Sequence, residues 1–222
     1  MQIYIIDILP ESKLYTENLL HMVSQEKSEK LNNYKSEIDK KLSLYGELLV
    51  RYKICVEMGI RNNEIVFCKN THGKPYLKSY PYFNYNISHS KAMTAVVFST
   101  LEVGIDIEFI GLANMRVVKR CFHPSERSYI YDSNRKDRAF YEIWTKKEAY
   151  VKYTGTGLFV PFVSFSVLDG EIPAMMRIFE INGYIITVCC KNGVYEKPEI
   201  IILTEENALA LFTGTQSFSK YT

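Results

Sequence analysis

The order of apolar and polar positions divides the chain into helix-rich and strand-rich stretches, each occurring twice. Residues 2–8 alternate and predict a first strand. Residues 11–58 are helical in character. Lys27 and Lys30 fall three apart and share a helical face, and Leu42, Tyr45, Leu49 and Tyr52 make the apolar stripe of a longer helix that stops near Gly59. A strand is predicted over 64–68, then a loop over 69–82 punctuated by Gly73, Pro75 and Pro81. Strands follow at 83–87, 93–99 and 103–109. A second helical block covers about 113–153. Pro124 suits a first helical position, Glu126 favours the same N-terminus, and Gly155 and Gly157 close the block. The remainder predicts strands at 162–168, 175–181, 184–190 and 199–203. Segregation of helices from strands within each half predicts an α+β fold. The seam is expected near residue 100, with an N-terminal part over 1–101 and a C-terminal part over 102–222.

Composition narrows the class without naming a function. The 222 residues are 47% hydrophobic and 23% charged, which excludes a disordered tail, a collagen-like chain and a disulfide-dense miniprotein. Lys and Arg number 27 against 25 acids, and a net +2 gives no ground for nucleic acid or an anionic membrane. The longest apolar runs, 92–98 and 184–190, fall far short of the roughly 20 residues of a membrane span. The opening M-Q-I-Y-I-I-D-I-L-P reads as a strand and not a signal peptide. Five cysteines, odd in number and without C-x-x-C, argue against a disulfide framework or zinc site, and fit reduced thiols in a cytoplasmic protein.

Candidate chemistry gathers at two places. In V-G-I-D-I-E-F, residues 103–109, strand periodicity puts Val103, Ile105, Ile107 and Phe109 on one side and Gly104, Asp106 and Glu108 on the other. In W-T-K-K-E-A-Y-V-K, residues 144–152, helical spacing aligns Trp144, Glu148 and Lys152. Each alone also fits a wet acidic strand face or a surface Glu–Lys pair. Converging, the three carboxylates suit a hard cation such as Mg²⁺, which prefers oxygen ligands and substrate phosphates. Carboxylates about 5 Å apart repel by roughly 3 kcal/mol at an effective dielectric near 20, so convergence requires a cation or protons.

Several cations and hydroxyls could meet a phosphate. G-K-P-Y, 73–76, holds Lys74 in a rigid turn beside Pro75. N-I-S-H-S, 86–90, ends a strand with Ser88, His89 and Ser90. Lys27, Lys30 and Lys152 add charge. No Gly-rich dinucleotide fingerprint, G-x-x-x-x-G-K-S/T run or G-x-S-x-G elbow occurs.

In order and spacing these segments resemble the Sfp-type 4′-phosphopantetheinyl transferases. The resemblance rests on G-K-P at 73–75, F-N-Y-N-I-S-H-S at 83–90, G-I-D-I-E at 104–108, F-H-P-S-E at 122–126 and W-T-K-K-E-A-Y-V-K-Y-T-G-T-G-L at 144–158. E-K-S-E-K at 26–30 and L-Y-G-E-L-L-V-R at 44–51 match more weakly. It runs from about residue 3 to 190, and five motifs in the right order are specific where each alone is not.

The resemblance implies two similar α/β subdomains related by a pseudo-twofold, with coenzyme A in the cleft between them. It implies Mg²⁺-dependent transfer of the phosphopantetheine arm to a serine of an apo acyl or peptidyl carrier protein by a monomer. Asp106, Glu108 and Glu148 match the Mg²⁺ ligands. Glu148 also matches the base for the serine proton, and Lys152 the cation at the leaving phosphate. Lys27, Lys30, Lys74, Pro75, Ser88, His89, Asp106 and Lys152 match coenzyme-binding positions, and Glu126 a further acid near the site. Lys40 or Lys41 stands near where the family often has another basic residue, and Phe122-His123-Pro124 replaces its usual Phe-Ser helix entry. A non-catalytic module binding coenzyme A or a carrier is the competing expectation. The intact set Asp106, Glu108, Glu148 and Lys152 argues against it, and the absence of a basic stripe argues against nucleic acid.

Overall fold

Strand periodicity builds an apolar layer at the centre of the molecule. Ile3 and Ile5 of β1 (Gln2–Asp7) and Met93, Ala95 and Val97 of β5 (Met93–Ser99) meet Val103, Ile105 and Ile107 of β6 (Val103–Phe109) and Tyr184, Ile186 and Val188 of β8 (Tyr184–Lys191). These residues belong to two sheets packed face to face in a computed structural model that describes residues 1–9, 17–168, 170, 172–193 and 197–214. In the first sheet β4 (Asn84–Ser90), β5 and β1 are antiparallel neighbours, and β9 (Glu199–Thr204) joins β1 in parallel. In the second, β8 lies antiparallel between β6 and β7 (Ala174–Ile181).

Helices cover the two outer faces. Helices α1 (Gln25–Asn32) and α2 (Glu37–Met58) start at the serine caps Ser24 and Ser36, whose side chains accept from the backbone of Lys27 and Asp39. The α2 stripe, with Leu42, Tyr45 and Leu49, packs on Ile6, Val96 and Phe98 of the first sheet. Beyond the second sheet lie α3 (Met115–Cys121), α4 (Pro124–Asp132) and α5 (Lys136–Thr154). The order helix, sheet, sheet, helix is an α+β fold of two halves, each a largely antiparallel sheet backed by helices. Helix α5 crosses β6 closely. A Cβ on Gly104 would stand 2.1 Å from the Ala149 carbonyl oxygen and 2.4 Å from the Tyr153 nitrogen, so only glycine permits the approach.

Some elements differ from expectation. The strand predicted over 162–168 is absent: a 3₁₀ turn, Phe162–Ser164, leads into irregular backbone. Its backbone groups go to side chains instead of a ladder. Lys147 donates to the Phe162 and Phe165 carbonyls, and Glu126 accepts from the Val167 amide. The expected loop 69–82 contains β3 (Pro75–Leu77), which pairs with β2 (Phe67–Lys69) in a small hairpin. Asn70 closes its turn by accepting from the His72 and Lys74 amides. The strand expected at 64–68 starts only at Phe67, after a 3₁₀ turn, Asn62–Glu64. Residues 11–16 of the first helical stretch lie outside the described residues.

The chain returns to its starting half. Strand β9 pairs with β1, and α6 (Glu205–Gly214), which the sequence reading missed, packs on α2. Residues 199–214 therefore sit with the first half, although the division at 101/102 assigned them to the second. The anchor is polar: Glu205 is buried and accepts from Lys41 at 3.0 Å and from the Tyr45 hydroxyl at 2.9 Å. The sequence signal for α6 is Thr204 followed by two glutamates, and Thr204 Oγ1 caps the helix by accepting from the Asn207 amide.

Candidate active site

The edges of the two sheets meet at β4 and β6. No backbone ladder joins them. Instead the side chains of Asn86, Ser88 and Ser90, every second residue of β4, reach across. Opposite them, β6 presents Asp106 and Glu108 on the face that α5 covers, and α5 brings Trp144, Glu148 and Lys152 onto the same side.

Asp106 is the centre of this cluster. It is buried, and its Oδ1 accepts from Lys152 Nζ at 2.7 Å and from Ser88 Oγ at 2.8 Å. Lys152 also donates to Ser88 at 2.9 Å. The other oxygen, Oδ2, is buried with no hydrogen-bond partner, an arrangement that costs about 1–3 kcal/mol or more for a charged group. Burial, reinforced by Asp106 and Glu108, pushes the Glu148 carboxyl up to about 7 against the pull of Lys152. Burial and then Asp106 also raise Glu108, while hydrogen bonds from Ser90 and Trp144 and the charge of Lys152 oppose the rise. Glu108 and Glu148 are thus both raised, and Asp106 is the first charged neighbour behind each rise.

Among the described residues, no three His, Cys, Asp or Glu side chains are grouped closely enough to hold a metal as they stand. The donor set nevertheless suits a hard divalent cation. It offers only carboxylate oxygens, one of them buried and unpartnered, and their mutual repulsion is what a cation would relieve.

Some coenzyme-binding candidates lie within the first half, where a cavity of about 440 Å³ is lined by Lys27 and Lys30 of α1, Arg51 of α2, Cys68, Pro75 and Ile87. Lys27 donates to Ser43 at 3.0 Å and pairs with Glu47 at 3.4 Å. His89 keeps an exposed face, yet partial burial of its ring lowers its pKa, and Lys152 and Lys27 lower it further, with Asp39 and Asp106 opposing. Ser43 and Asp39 belong to this neighbourhood and carry no motif that sequence reading could have used.

Three candidates are engaged elsewhere. The Lys74 ammonium turns into the protein, donating to the carbonyls of Val103 at 3.3 Å and Tyr153 at 3.0 Å, and burial lowers its pKa. Its stem and Pro75 wall a second cavity of about 260 Å³ between the halves. Glu126 is fully buried against Lys147 at 2.9 Å, away from the carboxylate cluster, and accepts from the His123 amide at the start of α4. Lys41 is held by Glu205 in the C-terminal anchor.

Sequence comparison places these residues in a wider context. Residues 102–191 match the family described as the 4′-phosphopantetheinyl transferase superfamily, and residues 10–101 match 4′-phosphopantetheinyl transferase, N-terminal. The chain is 29% identical over 212 residues to 4′-phosphopantetheinyl transferase Sfp of Bacillus subtilis (strain 168), covering 89% of this chain and 95% of that protein. It is 30% identical over 215 residues to 4′-phosphopantetheinyl transferase ffp of Bacillus subtilis, covering 90% and 95%. It is 37% identical over 145 residues to 4′-phosphopantetheinyl transferase gsp of Aneurinibacillus migulanus, covering 64% and 60%.

Proposed function

The chain belongs to the 4′-phosphopantetheinyl transferase superfamily, and from that membership we propose how its inter-half seam carries out the reaction. The protein is a transferase that moves the 4′-phosphopantetheine arm of coenzyme A onto a carrier protein. The observation that carries the site assignment is the buried Asp106 carboxylate, with Lys152 and Ser88 on one oxygen and nothing on the other.

Asp106, Glu108 and Glu148 would hold Mg²⁺, which when bound offsets part of the pyrophosphate charge. Glu148 takes the proton of the acceptor serine, since a carboxylate beside the metal can serve as the base a serine hydroxyl needs. The serine oxygen bonds to the phosphorus on the pantetheine side, and the P–O bond to adenosine 3′,5′-bisphosphate breaks. The Lys152 ammonium receives the charge that develops on the leaving phosphate. Lys27, Lys30 and His89 take phosphates at the adenosine end, Ser88 supports them beside Lys152, and Pro75 and the Lys74 stem form walls.

We also read the enzyme as a monomer, since one chain supplies both halves of the seam. The five free cysteines suit a reducing compartment, here the cytoplasm. Among the described residues no helix is long and apolar enough to cross a membrane.

The test is the intact mass of apo acyl and peptidyl carrier proteins after incubation with this protein, coenzyme A and Mg²⁺, with an EDTA control. A phosphopantetheine mass gain that EDTA prevents is expected. Gain that persists in EDTA would remove the metal, and no gain on any carrier type would remove the reaction.

A further inference from the structure

Three β4 side chains cross the seam at strand period two, and they do different things. Asn86 Oδ1 accepts from the Ile105 amide at 3.0 Å and so ties a β4 side chain to the β6 backbone. Ser88 donates to Asp106 and accepts from Lys152, closing a triangle with their direct contact. Ser90 donates to Glu108 Oε2 at 2.7 Å and accepts from the Phe109 amide at 3.3 Å, gripping Glu108 by its carboxylate and by the backbone beside it.

The turn that carries Ser90 is clamped from both halves. Ser90 pairs with Met93 across the two-residue turn of the β4–β5 hairpin, where Lys91 takes the left-handed conformation at φ 53°. The Ala92 carbonyl accepts from the Ile8 amide at 2.8 Å, and the Ala92 amide donates to the Tyr184 hydroxyl of β8 at 3.2 Å. The Tyr184 ring in turn packs edge-on against Phe109, with centroids 5.1 Å apart. A hydroxyl on such a support does not follow the carboxylate; the carboxylate follows the hydroxyl. A free glutamate side chain loses about 1.5–2 kcal/mol of rotamer freedom when it is fixed, and here the fixing is done before any ligand arrives.

We propose that Ser90 is a positioning residue, holding Glu108 across the seam in the orientation in which that carboxylate meets a divalent cation. This rests on the reading of Asp106, Glu108 and Glu148 as cation ligands. Hydrogen-bond partners that orient metal ligands typically contribute 10- to 100-fold to metal affinity, and Ser90 is the partner that the first half contributes to Glu108. The other, Trp144, comes from α5.

The experiment is Mn²⁺ titration of the full chain without coenzyme A, followed by electron paramagnetic resonance, with thermal melting alongside. Ser90→Ala is expected to weaken Mn²⁺ binding about 10- to 100-fold and to melt within a few degrees of the wild type. Ser90→Thr, which keeps the hydroxyl, is expected to stay within about threefold by the same reasoning. Should Ser90→Ala fail to fold, Ser90→Cys, of similar size but a weak donor, is expected to weaken binding in its place. Mn²⁺ affinity unchanged in the variant lacking the hydroxyl overturns the role of Ser90 alone. Equal losses in the Thr and Ala variants do the same, because the hydroxyl would not be the cause. A wild type that binds no Mn²⁺ overturns the cation reading and this inference with it.

Discussion

Lys152 Nζ lies 2.7 Å from Asp106 Oδ1, so the cation that answers the buried carboxylate stands one helical turn beyond Glu148. The contact joins the middle of β6 to the last turns of α5, and Ser88 of the other half completes it at 2.9 Å from the ammonium. Lys152 is thereby aimed before substrate binds. Lys152→Met is expected to lower kcat by about 100- to 1,000-fold, the range for removing a preorganised group that stabilises developing negative charge. KM for coenzyme A is expected to change much less. Timed chromatography of holo carrier against coenzyme A concentration checks both, and a kcat within threefold of wild type would take Lys152 away from the leaving group.

Glu126 and Lys147 form a different kind of pair. Both are fully buried, 2.9 Å apart, and Lys147 also holds the carbonyls of Phe162 and Phe165 at 2.6 Å each. Removing the cation strands a carboxylate and two carbonyls away from water. Lys147→Met is expected to cost about 3–5 kcal/mol of stability, read as a lower urea midpoint. Glu126→Gln should also lose stability, yet the folded variant should keep kcat within a few fold, since Glu126 does not touch the carboxylate cluster. A large kcat loss in a Glu126→Gln protein of normal stability would contradict that separation.

The cysteines report the packing. Cys55, Cys189 and Cys190 are buried, and burial raises all three thiols, Cys55 to about 11. Cys68 and Cys121 are half-exposed. Because the thiolate is the reactive form, native protein at pH 8 is expected to give two fast thiols with a disulfide reagent and three only on unfolding. The thiolate fraction of a group with a raised pKa climbs as pH rises towards that pKa, so any slow labelling of Cys55 should increase about tenfold per pH unit between 8 and 10. Five fast thiols at pH 8 would be incompatible with this core.

Much of the architecture is legible in local sequence because local physics decides it. Periodicity alone gives β5, β6 and β8 within a residue, and Pro124 and Gly155 mark helix ends. The failures share a cause. Residues 162–168 look like a strand, but Lys147 and Glu126 take their backbone groups from another element. Likewise the return of 199–214 to the first sheet depends on pairing with β1 and on a buried Glu205, contacts far apart in sequence. At the site, the spacing of Asp106, Glu108, Glu148 and Lys152 alone also fits a wet strand face and a surface Glu–Lys pair, and only the family resemblance gives these residues roles. The inward turn of Lys74 and the grip of Ser90 on Glu108 depend on how the two halves dock, and no spacing along the chain encodes that.

Gly104 links packing to chemistry most directly. It faces α5 from β6, two residues before Asp106, and an added Cβ would press on helix backbone at Ala149 and Tyr153, not on a side chain that could swing aside. Ala149 directly follows Glu148 on the helix, and Tyr153 directly follows Lys152. Gly104→Ala must therefore push α5 off the sheet, and the two catalytic candidates move with it while Asp106 stays. Overpacking of this kind costs about 1–3 kcal/mol, and more where backbone has to shift. Misplacement of reacting groups by about 1 Å can cost about 100-fold in rate. The expected result is a stability loss of about 3 kcal/mol by urea titration together with a kcat loss of at least tenfold, assayed where the variant is fully folded. The second loss is the decisive one. A variant that is merely less stable, with kcat intact below its unfolding transition, would mean that the spacing of α5 from β6 is not what aligns Glu148 and Lys152 with Asp106.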